Sequence, residues 1–178
     1  TSCFVFLKLG ARCVLIPNPR DLRSFVATLK RIQLTAIVGV NTLYRALLDA
    51  PGFSEVDVRR LKFCAAGGMA VQRTVAQRWK AATGVPLVEG YGLSETSPLL
   101  ISNRLDIEDW TGGIGIPIPS TDVTILDEAG NPVPTLQVGE ICVRGPQVTR
   151  RYWNRPDGTS KAFTRDGWFR TGDLGVMD

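Results

Sequence analysis

From Arg12 to Glu89, short apolar runs alternate with stretches in which apolar residues recur every three or four positions. The first pattern predicts buried strands and the second predicts helices packed by one face. Arg12-Cys13-Val14-Leu15-Ile16 is a β-rich run ended by Pro17 and Pro19. Leu22, Phe25, Val26 and Leu29 follow at helical spacing, with Asp21 at the start and Lys30-Arg31 at the end, where each charge suits the helix dipole. Ala36-Ile37-Val38-Gly39-Val40 reads as the next strand, Thr42 to Asp49 as a helix and Leu61-Lys62-Phe63-Cys64-Ala65 as a third strand. Val71 to Ala82 is a long helix, and Pro86-Leu87-Val88-Glu89 a fourth strand that enters Gly90-Tyr91-Gly92. Repeated strand–helix–strand units predict a parallel sheet with helices on its faces.

The pattern changes after about Asp109. Gly112-Gly113 and Gly115, with Pro117 and Pro119, interrupt any helix. Val123-Thr124-Ile125-Leu126, a turn at Asp127-Glu128-Ala129-Gly130-Asn131 and Gly139-Glu140-Ile141-Cys142-Val143-Arg144 predict antiparallel β structure, and Trp168-Phe169-Arg170 another strand. The expected fold class is therefore α/β, with a parallel sheet and flanking helices over 1–109 and a small antiparallel β subdomain over 110–178.

Composition narrows the function. At 178 residues, 44% hydrophobic and 21% charged, the chain can bury a sizeable core and is not expected to be disordered. No apolar run reaches the length of a membrane span, and Phe4-Val5-Phe6-Leu7 is too short for one. The formal charge of +4 is scattered over residues such as Arg20, Arg31, Arg59, Arg78 and Arg150 rather than gathered in a stripe, which argues against nucleic acid. Cys3, Cys13, Cys64 and Cys142 form no C-x-x-C pair and suit free thiols in a reducing cytoplasm. The absence of histidine excludes a Ser-His or Cys-His nucleophilic pair within the chain. Thr1-Ser2-Cys3 has neither an initiator Met nor a basic signal region, and Val176-Met177-Asp178 ends without a cap, so the chain is expected to be an internal segment.

Two strings carry the candidate chemistry: Val88-Glu89-Gly90-Tyr91-Gly92-Leu93-Ser94-Glu95-Thr96 and Trp168-Phe169-Arg170-Thr171-Gly172-Asp173. The first sets an aromatic ring, a hydroxyl and a carboxylate around a glycine-permitted bend. A nucleotide needs those groups: a flat face for the base, donors for phosphate and a carboxylate for Mg²⁺ beside phosphate oxygens. The second adds a carboxylate in a tight Thr-Gly-Asp turn, suited to accept hydrogen bonds from ribose hydroxyls. Gly67-Gly68 and Gly90-Tyr91-Gly92 both follow predicted strands, so both should line the crevice beyond the strands' carboxyl ends. Plainer roles stay open: a strand-to-helix turn for Gly67-Gly68, a core aromatic for Tyr91, a solvated turn for Asp173. Ser94-Glu95 also reads as a helix start with Ser as cap, a role compatible with anion binding.

These strings, together with Val40-Asn41-Thr42-Leu43-Tyr44, Ala65-Ala66-Gly67-Gly68-Met69-Ala70-Val71-Gln72, Gly145-Pro146-Gln147-Val148, Tyr152-Trp153-Asn154-Arg155-Pro156 and Thr159-Ser160-Lys161-Ala162-Phe163, resemble the adenylate-forming superfamily of acyl-CoA synthetases, firefly luciferase and peptide-synthetase adenylation domains. The bacterial long-chain fatty acid–CoA ligases are the most similar branch. The resemblance implies that the α/β part belongs to a large N-terminal domain and that the β subdomain is barrel-like. It assigns Gly67, Gly68 and Tyr91 to adenine, Gly90 and Gly92 to the nucleotide-binding bend, and Asp173 to the ribose. Ser94 and Glu95 become the catalytic pair, Ser94 toward the α-phosphate and Glu95 toward Mg²⁺. Val40, Asn41 and Met69 lie in segments that flank the acyl group.

The implied reaction has two halves. A fatty acid carboxylate attacks the α-phosphorus of ATP, releasing pyrophosphate, and the thiol of coenzyme A then displaces AMP. A cytoplasmic parent enzyme is implied, with room for peripheral contact at the inner membrane face and for a homodimer. Ser94 replaces the usual Thr, Ala70 a common Pro and Arg151 a usual Gly. The family's Gly/Ser/Thr-rich phosphate loop and its hinge with the small C-terminal domain have no counterpart in this sequence, so the chain is expected to be inactive alone. The alternatives are an amino acid or aryl-acid adenylating enzyme, and a non-catalytic nucleotide- or acyl-binding module.

Overall fold

The computed structural model of the protein describes residues 2–178; Thr1, part of the start discussed above, lies outside them. Residue contacts divide the chain into two units: the described residues up to Tyr91 with Ser102–Ile116, and Gly92–Ile101 with Pro117–Asp178.

In the first unit the alternation seen in the sequence becomes α1 (Ser2–Lys8), α2 (Leu22–Leu29), β1 (Ala36–Gly39), α3 (Asn41–Asp49), β2 (Phe63–Gly67), α4 (Arg73–Thr83) and β3 (Leu87–Tyr91). Asp21 caps α2 by accepting the Ser24 amide at 3.1 Å, and Gly84 ends α4 in the left-handed conformation. The strands run parallel, with Ile37 opposite Cys64 and Cys64 opposite Leu87. Two-residue strands β4 (Ile101–Ser102) and β5 (Ile116–Pro117), where the chain passes between units, complete the order β1-β2-β3-β4-β5. The helices bury Phe25, Val26, Leu29, Tyr44, Leu47, Val75 and Trp79 against Ile37, Cys64 and Leu87 of the strands. Trp79 lies edge-on to Tyr44 at 4.7 Å and 5.5 Å from Phe53, and truncating such an aromatic costs about 3–5 kcal/mol.

Two expectations need correction here. Arg12–Ile16 forms no strand: a β-run needs a ladder partner, the segment has none among the described residues, and Val14 and Leu15 are exposed. Phe4-Val5-Phe6-Leu7, too short for a membrane span, lies in α1, a helix the periodicity does not predict. β3 runs through Gly90 and Tyr91, so these residues end a strand rather than follow one, and the bend begins at Gly92.

The second unit is built on β6 (Asp122–Leu126), β7 (Gly139–Arg144) and β8 (Phe169–Gly175), an antiparallel sheet in that order. Thr124 pairs with Cys142, and Cys142 with Arg170. Ile125, Leu126, Ile141, Val143 and Phe169 are buried. Three strands form an open sheet among the described residues, with no barrel closure. The turn expected after β6 is present: Asp127 accepts the Asn131 amide through its side chain at 2.8 Å. A seven-residue helix, α5 (Pro156–Ala162), was not foreseen because it buries no residue and so carries no apolar period; only Pro156 at its first turn signals it. No helix of the described residues is long and apolar enough to cross a membrane.

Candidate active site

Parallel strands point their carboxyl ends the same way, and the first unit gathers seven of the expected residues there. Val40 and Asn41 follow β1, Gly67 ends β2 with Gly68 and Met69 beyond it, and Gly90 and Tyr91 end β3. Gly67 suits a close approach, since a Cβ there would stand a tight 3.1 Å from the Gly90 carbonyl oxygen. Gly68 is required by its φ of +77°, a conformation costly for any other residue. Val40 and Met69 are exposed, and a Cβ on Gly68 would lie 3.8 Å from Val40 Cγ1.

Two buried polar side chains hold the far end of this glycine turn. Glu89 Oε1 accepts the Val71 amide at 2.9 Å, and Asn41 Oδ1 accepts the Gln72 amide at 3.0 Å. Asn41 is only 5% exposed, so its amide oxygen serves the loop between β2 and α4. Glu89 is itself fixed by Asn103, which accepts its amide at 2.9 Å through Oδ1 and donates its own amide to the Glu89 carbonyl at 2.8 Å. Neither Glu89 nor Asn103 was singled out in the sequence; a carboxylate inside an otherwise apolar strand run was the available signal.

Burial raises the Glu89 carboxyl above its ordinary value, and the Val71 amide opposes the rise only in part. A carboxyl raised in the folded state contributes stability below its unfolded value near 4.5 and loses it as pH rises through the folded value. Glu89→Gln keeps an acceptor for Val71 without the charge. Its stability relative to wild type should therefore rise between pH 4 and pH 8, measured by urea unfolding at both. A pH-independent difference would show that ionisation of Glu89 is not opposed by the fold.

The other expected residues lie in the second unit. Ser94–Thr96 is a single 3₁₀ turn entered from Leu93, so Ser94 is not a cap and no α-helix begins there. Pro98 has no N–H to continue a helix, and one turn carries no macrodipole to draw an anion. The turn is closed by fully buried Thr96, whose Oγ1 accepts the Leu93 amide at 2.9 Å. Ser94 is exposed beside it. Glu95 is half-buried and fixed twice: its carbonyl accepts the Thr149 amide at 2.7 Å, and Tyr152 donates its hydroxyl to Oε1 at 3.0 Å. Burial and the bond to Glu95 hold the Tyr152 hydroxyl above its ordinary value. In the sequence Tyr152 stands in a motif string with no role of its own; the fold brings it to Glu95.

Glu95 thus has one oxygen engaged and the other available. No group of three His, Cys, Asp or Glu side chains able to hold a metal ion occurs among the described residues. A lone carboxylate fits Mg²⁺, which binds through one or two carboxylates plus phosphate oxygens and keeps its remaining waters.

Asp173 is exposed on β8. Its setting corrects the expected tight turn: Thr171-Gly172-Asp173 is a bulge within the strand. Between the pairs Glu140–Leu174 and Cys142–Arg170, β7 has Ile141 alone while β8 has all three residues, and Gly172 takes a φ of +78°. A turn at Asp166-Gly167 lies just before β8, with Gly167 donating to the Thr164 carbonyl at 3.0 Å.

The model of the family described as AMP-binding enzyme fits residues 1–153. The chain belongs to that family. A long-chain-fatty-acid–CoA ligase of Yersinia pestis is 48% identical over 177 residues, covering 99% of this chain and 31% of the relative. A ligase of the same name from Bacillus subtilis is 40% identical over 97% of the chain and 30% of the relative. The chain therefore spans about a third of the length of the curated relatives it matches. Among solved structures, apo MatB from Rhodopseudomonas palustris superposes with a TM-score of 0.87 at 30% identity, over 99% of this chain and 35% of that one. The anthranilate CoA ligase AuaEII, in complex with anthranoyl-AMP, gives 0.85 at 29% identity, over 95% and 33%. The expected adenylate-forming fold is thereby confirmed as part of the N-terminal region of such enzymes.

Proposed function

We propose that the chain is the adenosine- and Mg²⁺-contacting segment of an ATP-dependent fatty acid–CoA ligase. The observation that carries this reading is the 48% identity to a long-chain-fatty-acid–CoA ligase along 99% of the chain, with each assigned nucleotide residue on a locally built feature. Gly67 and Gly68 present backbone to one face of adenine while Tyr91 covers the other. Asp173 accepts hydrogen bonds from the ribose hydroxyls, and Ser94 donates to the α-phosphate. Glu95 holds Mg²⁺, which when bound neutralises charge developing on the phosphates. The substrate carboxylate is already a nucleophile, so no side-chain base is needed and the residues act by orientation and charge. Val40 and Met69, exposed beyond β1 and β2, face the acyl group, and Asn41 supports their loop from beneath. Coenzyme A then takes the acyl group in the second half-reaction. By itself the chain forms no acyl-CoA on this reading.

The test is carboxylate-dependent ATP–pyrophosphate exchange by the full-length protein without coenzyme A, across acetate to palmitate, benzoate and amino acids. Exchange strongest with long alkyl acids is expected, because each buried CH₂ adds about 0.8 kcal/mol. The similarity to AuaEII favours an aryl acid as second reading; exchange strongest with benzoate would select it. No exchange from a folded protein that binds ATP would leave a binding module.

A further inference from the structure

The bulge that carries Asp173 is held by a residue with no role in the proposed chemistry. Glu140 of β7 is largely buried, its side chain 19% exposed. Its Oε1 accepts the Gly172 amide at 3.0 Å, and its Oε2 accepts from Arg170 Nη1 at 2.6 Å. Arg170, before the bulge, and Gly172, at its centre, are thus tied to one carboxylate. Thr171 adds a relay: Asp173 donates its amide to Thr171 Oγ1 at 3.1 Å, and that hydroxyl donates to the Ile141 carbonyl at 2.8 Å. A strand gains no ladder bonds from unpaired bulge residues, so something else must hold their geometry. Here it is Glu140. The Arg170 charge sits against it as a short, partly buried pair, where removing the acid also leaves a cation without its partner.

We propose that Glu140 is a positioning residue for nucleotide binding: by fixing the Gly172 amide and Arg170 it sets the Thr171-Gly172-Asp173 bulge so that the Asp173 carboxylate meets the ribose 2′- and 3′-hydroxyls. The proposal rests on the assignment of Asp173 to the ribose. It goes beyond that assignment in naming what enforces the geometry, and it predicts selectivity rather than activity alone. Glu140 touches no substrate. Its loss should therefore blunt the ability to tell a ribose from a deoxyribose more than it weakens adenine binding.

The experiment measures dissociation constants for ATP and 2′,3′-dideoxy-ATP with the full-length protein and its variants. Wild type is expected to favour ATP by about tenfold or more, as hydrogen bonds to a charged acceptor allow. Asp173→Ala should bring that ratio close to one. Glu140→Ala should do nearly the same, while weakening dideoxy-ATP binding less than threefold. Glu140→Gln keeps a carbonyl oxygen for the Gly172 amide and should restore most of the ratio. If Glu140→Ala fails to fold, Glu140→Asp replaces it. The shorter acid keeps a charge near Arg170 but draws back by about 1.5 Å from Gly172, and the ratio should still fall. A wild-type ratio in folded Glu140→Ala or Glu140→Asp, with the Asp173→Ala ratio collapsed, overturns the proposal and leaves the ribose assignment standing. An undiminished ratio in Asp173→Ala overturns both.

Discussion

Glu95→Ala in the full-length protein is expected to lower ATP–pyrophosphate exchange by about 10²–10³-fold, the range seen when a fixed electrostatic group is removed from a reacting centre. The size follows from how little else in the segment can replace this carboxylate. Among the described residues no cluster of acids surrounds it, so its loss removes the whole protein contribution to the ion from this segment. Its placement is also enforced: the Thr149 amide holds the backbone at 2.7 Å and Tyr152 holds one oxygen at 3.0 Å. Glu95→Gln should be nearly as damaging, because the amide keeps the shape and an oxygen but not the charge. The loss should deepen at low Mg²⁺ and soften as Mg²⁺ is raised toward saturation. A loss below threefold, or one indifferent to Mg²⁺, would remove Glu95 from the metal's coordination. Tyr152→Phe supplies the intermediate case, with charge retained and aim lost.

What the sequence shows of this protein follows the physics of periodicity. Helices α2, α3 and α4 and the three parallel strands were legible because each buries one stripe or one run against a common core: Leu29, Leu47 and Trp79 recur where the pattern puts them. Arg12–Ile16 failed for the converse reason. Its composition suits a strand, but strand formation is settled by a neighbour's hydrogen bonds, which composition does not contain. Helix α5 failed because a surface helix with no buried residue has no stripe to read.

At the site, the motif strings single out Glu95 and Asp173 but mistake their frames. Ser94-Glu95 looks like a helix start because Ser followed by an acid is the usual helix opening; Pro98 stops it after one turn. Thr171-Gly172-Asp173 looks like a turn because Gly-Asp usually is one; the strand continues through it because Glu140 satisfies the displaced Gly172 amide. The supporting groups Glu89, Asn103, Glu140 and Tyr152 act across 14 to 57 positions of sequence. Such pairings depend on the folded topology, which no local pattern encodes.

Gly92→Ala is expected to be among the most disruptive single methyls in the described residues. A Cβ at Gly92 would stand 1.6 Å from the Pro98 carbonyl oxygen, 2.7 Å from its carbon and 3.0 Å from Leu99 Cα. All three are backbone atoms, so no side chain can swing away. A tolerable carbon–oxygen contact is about 3.3 Å or more, which requires the Pro98–Leu99 backbone to retreat by well over an ångström. That movement cannot stay local. Pro98's carbonyl also accepts from Thr96 Oγ1 at 2.9 Å, and the same oxygen of Thr96 accepts the Leu93 amide, so the turn bearing Ser94 and Glu95 is drawn along. Overpacking of this kind costs about 1–3 kcal/mol and occasionally more. Exchange should fall at least as far as in Glu95→Ala, because both Ser94 and the metal-facing carboxylate are displaced together. Urea unfolding and exchange assays check the two effects. Gly113→Ala is the control, since a Cβ there meets nothing within 4 Å. A Gly92→Ala protein as stable and active as that control would show that the bend tolerates a side chain and that Glu95 is not placed by this contact.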